Sequence, residues 1–283
     1  YILLAAYQMN RGSDCVSGMC ELGPNRLRLV QLNLEASKVA RKRGADQLVC
    51  QFLTKAVELI HTDHRDWENG SIYQMVLEVH TRLAEVELSR GHFDQANQLV
   101  GTILKHAQTA RDKIPALKVR SRSYSSQLQF GKAIEVLREA LDVLGVNFRN
   151  SNRVSQVSEV LRIKRLVRGY TDDDFLSLEP MTDETMLLAV QILTDIGLYG
   201  FINDRTTNIL AFCKLIQTTL EYGMCAETGL AYAGYAQILG VMGNMAEAHR
   251  FSQLALQVSH MNNGHHYQGR NYASNGDTGN TSA

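Results

Sequence analysis

Apolar residues recur along most of this chain at steps of three and four, with polar residues between them. This spacing is typical of amphipathic helices, which bury one face and expose the other. One pattern occurs several times along the chain: a turn is followed by a helix that has a small residue about one helical turn after its start. A small side chain there allows a neighbouring helix to approach closely. Its copies are Gly91, Phe93, Ala96, Val100 and Ile103; Phe130, Ala133, Leu137 and Ala140; Gly243, Met245, Ala248, Ser252 and Ala255; and, more weakly, Gly44, Asp46, Val49, Leu53 and Ala56. We expect the glycines of these copies to lie in the turns and the residues that follow to lie on the inner faces of helices.

The spacing between copies favours a helical-repeat fold. Ala96 and Ala133 are separated by close to the ~34-residue period of tetratricopeptide repeats. A single helix pair of that kind cannot bury its apolar face alone, so it stacks on a neighbour. We therefore predict an all-α fold, an α-α superhelix of stacked antiparallel helix pairs over residues 1–260 with a joint at 147–152. Residues 261–283 are rich in Asn, Gly, His and Ser, and we expect a disordered tail there.

The apolar spacing predicts where the helices lie. After an opening segment at 1–10, we expect helices over 25–43, 46–61, 71–90, 93–109, 113–129, 131–144, 154–167, 182–198, 206–222, 226–241 and 245–260. Three glycines sit just past predicted helix ends, where a left-handed residue is favoured: Gly44, Gly91 and Gly145. Three prolines sit just before or at predicted helix starts: Pro24, Pro115 and Pro180. Thr182 and Asp183 resemble an N-cap.

Composition narrows the classes of function. Hydrophobic residues make up 45% of the chain, which is ample for a continuous core, and 29 basic residues balance 29 acidic ones. Long-range attraction to nucleic acid or to an anionic membrane is therefore not expected. The five cysteines are scattered, which favours free thiols in a reducing, cytoplasmic compartment. We expect neither a membrane-spanning helix nor an N-terminal signal peptide. Because the chain starts at Tyr1 rather than at a methionine, we expect it to be a fragment of a longer protein.

Candidate chemical groups are few. His61 and His64, with Asp63 between them, lack a third ligand at metal-binding spacing. The acidic run 172–174 lacks the glycine and distal glutamate of a calcium loop, so helix capping is the better interpretation. Trp67 and Tyr73 are expected to fill a helix joint rather than bind a ligand. Phosphate loops and nucleophile motifs are absent from the sequence, so we expect a non-catalytic chain with no cofactor and no metal.

Several stretches, in order, carry a family resemblance. They are Trp67 with 73–87 (YQMVLEVHTRLAEVE), 91–97, 112–114, 129–133, 144–146, 173–183, 229–235 and 243–256. In these stretches the chain resembles the tetratricopeptide-like helical segment of very large signalling proteins. Those proteins carry a serine/threonine-kinase-like domain and a STAND-type predicted ATPase, and many also carry GAF and sensor histidine kinase domains. ATP binding and phosphotransfer belong to those other domains, and their catalytic motifs do not occur here.

The resemblance implies a protein-interaction or sensor arm. In STAND-class proteins the repeat array restrains the nucleotide module until a partner or ligand engages it, so the expected partner is another protein or another domain of the same polypeptide. A second interpretation is an accessory domain of a phosphotransfer enzyme with a small-molecule pocket in the concave face. Tyr232, Tyr235 and Phe212 are candidates to line that pocket, although their helical spacing favours a core position.

Overall fold

The computed structural model describes residues 1–16, 23–60, 65–148 and 153–263. Within these ranges the chain is all-helical and contains no strand, and its helices pack in pairs. The helices are α1 (Ile2–Val16), α2 (Gly23–Lys42), α3 (Asp46–Glu58), α4 (Arg65–Glu68), α5 (Tyr73–Ser89), α6 (Phe93–His106), α7 (Ala110–Ser126), α8 (Phe130–Val143), α9 (Arg153–Val167), α10 (Asp172–Leu176), α11 (Glu184–Asn203), α12 (Arg205–Tyr222), α13 (Thr228–Val241) and α14 (Met245–Asn263). The predicted all-α class is confirmed.

Side-chain caps fix several helix starts. Thr171 accepts a hydrogen bond from the Asp174 backbone N–H, and the Asp174 carboxylate accepts one from the Thr171 N–H, which forms a capping box. The Asp183 carboxylate accepts from the N–H groups of Thr185 and Met186 at the start of α11. The capping predicted for the acidic run and for Asp183 is therefore confirmed.

Glycine turns end several helices as predicted. Gly44, Gly91 and Gly145 have φ values of 68°, 81° and 74°. This left-handed conformation costs glycine little because it has no Cβ. Each glycine N–H bonds back into the preceding helix, so the chain reverses there and the next segment starts in a defined direction.

The structure corrects one predicted helix start and one predicted loop. Pro115 lies inside α7 rather than at its first turn, because Thr109 and Asp112 form a capping box that starts the helix at Ala110. The loop expected around Trp67 contains the short helix α4. Its residue Asp66 accepts two hydrogen bonds from the Arg26 guanidinium, at 2.7 and 2.9 Å, which fixes this segment to α2.

The predicted end of α11 is also too early. The helix continues past residue 198 to Asn203, and Asp204 alone separates it from α12. Asp204 ends one helix through its N–H to the Gly200 carbonyl, and its carboxylate caps the next at Thr206 and Thr207. A turn of one residue leaves no loop between the two helices.

The chain divides into two compact units, Tyr1–Val136 and Leu137–Ala283. In the first unit α2 packs on α3, α3 on α5, and α5 on α6, and α7 packs against both α5 and α6. In the second unit α11 packs on α12, α12 on α9 and α13, and α13 on α14. The division falls before the joint expected at 147–152, and residues 149–152 lie outside the described residues. Of the expected tail, 261–263 belong to α14, and 264–283 also lie outside them.

By length and composition alone, α11 could cross a membrane, with a mean hydropathy of 1.6 over 18 residues. A core helix of a soluble protein passes the same test, and 44% of this window is buried. Its buried positions include Val190, Leu193 and Gly197. The apolar content of α11 is thus in part explained by packing, chiefly against α12.

Candidate functional site

The three aromatic residues considered as pocket lining lie in the core. Tyr232 and Tyr235 are fully buried and Phe212 is 3% exposed. The Tyr232 ring meets Phe175 and Phe251 edge-on at 5.6 and 6.0 Å, and its hydroxyl donates to the Phe175 carbonyl. These rings hold α10 against α13 and α14. The core position favoured by their spacing is confirmed, and a pocket lined by them is not formed.

Trp67 and Tyr73 fill a helix joint, as predicted. The Trp67 ring is 4% exposed and stacks on His106 at 5.2 Å, and it contacts Tyr73 edge-on at 6.2 Å. His80 tilts against the same indole at 4.8 Å. Burial lowers the pKa of His80, because a charged imidazole would lose its hydration there. The cluster packs α4, α5 and α6 together.

A polar cluster that no sequence motif predicted lies at the Gly91 turn. The Cys50 thiol donates to Glu87 Oε1 at 3.0 Å, and His92 Nδ1 contacts Glu87 Oε2. Arg90 Nη1 lies 2.8 Å from the Cys50 sulfur. Burial, and then the hydrogen bond to Glu87, raise the pKa of Cys50, so the thiol stays protonated near neutral pH. The cluster therefore joins α3 to the α5–α6 turn and does not supply an activated nucleophile.

Metal ligands do not converge within the described residues, where no group of three His, Cys, Asp or Glu side chains is arranged to hold an ion. The candidate residues His61, Asp63 and His64 lie outside the described residues. Cys213 is buried, and burial raises its pKa to about 12. Cys225 is partly buried, and burial raises its pKa to about 11. Neither thiol is a thiolate at neutral pH.

A groove lies between α13 and α14. It has a volume of about 640 Å³, and we call it the α13–α14 groove. Its lining residues are Ala226, Gly229, Leu230, Ala233, Ala236 and Gln237 from α13 and the turn before it, and Ser252, Ala255, Leu256 and Ser259 from α14. Leu230 and Leu256 are 38% and 54% exposed at its edges. The floor is made of small residues because the two helices lie close together. A Cβ on Gly229 would lie 2.7 Å from Ser259 Oγ.

The prediction of inner-face residues was wrong at two positions of α14. Met245 and Ser252 were expected on an inner face, but Met245 is 68% exposed and Ser252 lies exposed in the groove wall. Within the described residues of the second unit, no helix covers this side of α14. Ala248 and Ala255 of the same pattern are buried as expected.

The part of the chain that contains the groove is acidic. Residues 169–263 contain 11 Asp and Glu against 3 Lys and Arg, whereas the rest of the chain contains 18 against 26. Residues 215–249 contain no lysine or arginine. Four carboxylates, those of Glu179, Asp183, Glu221 and Glu227, belong to the segments joined at the turn before α13, where the Met224 N–H bonds to the Glu179 carbonyl. The balanced total charge conceals this local excess of negative charge, which the sequence alone could have revealed.

Comparisons with known proteins place this geometry in context. No protein-family model matches the chain. The chain is 21% identical to "Hybrid signal transduction histidine kinase G" of Dictyostelium discoideum, over 89% of this chain and 8% of that protein. It is similar in structure to BtubC (BKLC) from P. vanneervenii, with a TM-score of 0.50 and 14% identity over 99% of this chain and 94% of the other. This second likeness concerns the helical fold alone. The chain is thus weakly similar to a small part of a signal transduction histidine kinase.

Proposed function

We propose that this chain is a non-catalytic helical-repeat segment of a multidomain signalling protein, and that it binds another protein or another domain of the same polypeptide. The observation that carries the proposal is the match of 89% of the chain to only 8% of a signal transduction histidine kinase. A segment of that size, built only of paired helices in its described part, suits an interaction role. The finer assignment is a tetratricopeptide-like superhelix in a cytoplasmic protein of the STAND ATPase and kinase class.

The packing supports an interaction role. Helix pairs such as α5–α6 leave one side open to the next element, and α7 occupies that side in the first unit. Repeat proteins use such faces to bind partners because each pair contacts only its neighbours. The Cys50 thiol stays protonated and joins α3 to α5, which agrees with a structural role for that residue. Phosphotransfer would then be supplied by other domains.

Exchange of segments tests the proposal. The segment of the Dictyostelium kinase that matches this chain is deleted or replaced by this chain, and autophosphorylation is compared with that of the parent kinase. We expect the deletion to change the rate and the replacement to restore it. Ala96→Pro is the matched control, because proline inside α6 breaks the helix and should prevent restoration.

A second measurement addresses catalysis directly. The purified chain is incubated with radiolabelled ATP, and we expect neither hydrolysis nor self-phosphorylation above a protein-free blank. Activity that remains through purification and disappears on unfolding would refute the non-catalytic assignment. Equal rates for the deletion and the parent kinase would refute the regulatory role.

A further inference from the structure

The α13–α14 groove corresponds to a face that is covered elsewhere in the same chain. Aligning Ala248 with Ala96 makes α13 and α14 the equivalents of α5 and α6. The two turns agree closely: Gly91 and Gly243 have φ values of 81° and 79°, and each glycine N–H bonds to the third residue before it. The N–H groups of His92 and Asn244 likewise bond to Glu87 and Leu239. The two helix pairs therefore present equivalent faces.

On α5 and α6 that face is occupied by α7. Ala116 and Val119 of α7 share one buried cluster with Val100 and Ile103 of α6, and Asn97 donates to the Ser123 hydroxyl of α7. Val100 and Ile103 are fully buried. Their equivalents on α14 are Ser252, which is exposed, and Ala255, which is buried. The described part of the second unit has no helix in the position that α7 occupies in the first.

Several residues of the groove are smaller than their equivalents on the face that α7 covers. The difference occurs at four positions, namely Gly229 for Leu77, Ala233 for Thr81, Ser252 for Val100 and Ala255 for Ile103. A helix seated there needs larger side chains than the alanine, valine and serine of α7 to fill the space. Leucine-sized residues at helical spacing suit the groove, with Leu230 and Leu256 at its edges.

Charge favours one class of occupant. The turn before α13 joins segments that carry four carboxylates, and one of them, Glu227, directly follows Ala226 at one end of the groove. Positive residues on a docking helix would be attracted to this end and would raise the rate of association at low salt. The sequence of 264–283 has no apolar residues at helical spacing.

We propose that the α13–α14 groove binds a positively charged amphipathic helix of a partner protein, in the position that α7 takes on α5 and α6. Large aliphatic residues at steps of three and four fill the groove, and lysine or arginine side chains face the acidic turn before α13. This deepens the proposed function by naming the surface and the class of partner, and it rests on that function.

A model peptide tests the docking. The probe is a fluorescently labelled helix of leucine and lysine with leucines at steps of three and four, as long as the 14-residue α13. Anisotropy measures its binding to the full chain. We expect Leu256→Asn to weaken binding about tenfold through loss of apolar contact. The matched control is Leu161→Asn, an apolar side chain of similar exposure on α9, which should leave binding unchanged.

Two further probes separate shape from charge. A leucine–glutamate peptide of the same pattern should bind at least about tenfold more weakly, because its carboxylates meet the acidic turn. A peptide of alternating leucine and lysine has the same composition but favours a strand, and it should also bind weakly. Equal binding of the three peptides, or equal binding by the Leu256→Asn and Leu161→Asn variants, would refute the proposal.

Sedimentation distinguishes the other occupant, a second copy of the chain. A dimer that dissociates in Leu256→Asn and excludes the peptide would show that the chain covers its own groove, which also refutes the proposal. These failures differ from that of the proposed function. A chain that restores kinase regulation but ignores the peptide would overturn only the assignment of this groove.

Discussion

Gly234→Ala should destabilise the second unit although alanine is the better helix former. Gly234 lies inside α13, and the Phe212 ring of α12 packs directly on it. A Cβ at position 234 would lie 2.1 Å from Phe212 Cδ1. Carbon atoms in good contact are about 3.5–4.0 Å apart, so the ring or the helix must move by roughly 1.5 Å.

The ring has little room to move. Its other edge lies against Gly197 of α11, where a Cβ would be 3.1 Å from Phe212 Cε2. Phe212 is buried between the two glycines, so a shift away from α13 pushes it into α11. Overpacking of a core costs about 1–3 kcal/mol, and a ring confined on both sides favours the upper value. The better helix propensity of alanine returns about 1 kcal/mol, which leaves a net loss of roughly 2 kcal/mol.

Urea unfolding followed by circular dichroism measures this loss. Gly240→Ala is the matched control on the same helix, because its Cβ would lie 3.8 Å from the Ala248 Cβ in an ordinary contact. That variant should gain about 0.5–1 kcal/mol from helix propensity alone. Combining Gly234→Ala with Phe212→Ala should be less destabilising than the sum of the single changes. If Gly234→Ala is as stable as Gly240→Ala, the proposed packing of Phe212 is wrong.

Three other predictions concern the first unit. Arg26→Ala removes the guanidinium that pairs with the buried Asp66 carboxylate, so the free energy of unfolding in urea should fall by about 3–5 kcal/mol. The double variant Arg26→Met with Asp66→Leu, which removes both charges, should recover most of that stability. Burial lowers the pKa of His80, so below about pH 6.5 the unfolded chain binds a proton that the folded imidazole does not. The free energy of unfolding should therefore fall as the pH decreases. This fall should be less steep in the His80→Gln variant. Ala96→Leu overpacks a fully buried position and should cost about 1–3 kcal/mol, whereas Gln98→Leu on the exposed side of α6 should cost little.

The local features of the fold could be predicted from the sequence because they depend on near neighbours. Thr171 caps α10 through Asp174, three residues away, and Gly91 ends a helix through its own φ. The misplaced start of α7 has the same origin, since the capping box of Thr109 and Asp112 is equally local and begins the helix before Pro115. Helix existence follows from periodicity, whereas exact helix ends depend on which of several capping groups is used.

Contacts between residues that are distant in the sequence could not be predicted in this way. The Phe212 ring is placed by Gly197 and Gly234, which belong to two other helices, and no local pattern links the three. Cys50 and Glu87 are 37 residues apart and are joined only by the fold. The acidic character of 169–263 is different, because it is a property of composition and a count of charges by segment reveals it.

The packing behind the α13–α14 groove explains why it should bind a helix without first being reshaped. Tyr232, Phe251 and Phe175 pack edge-on against one another on a different face of α13 from the groove. Arg250 lies over the Phe175 and Phe251 rings at 5.6 and 5.7 Å and pairs with Asp172, so α10 is held to the same cluster. Helices fixed on one side keep their spacing on the other. The conformational entropy lost on binding should therefore come mainly from ordering the partner helix and little from the groove. The affinity of the partner should then depend on which of its side chains enter the groove.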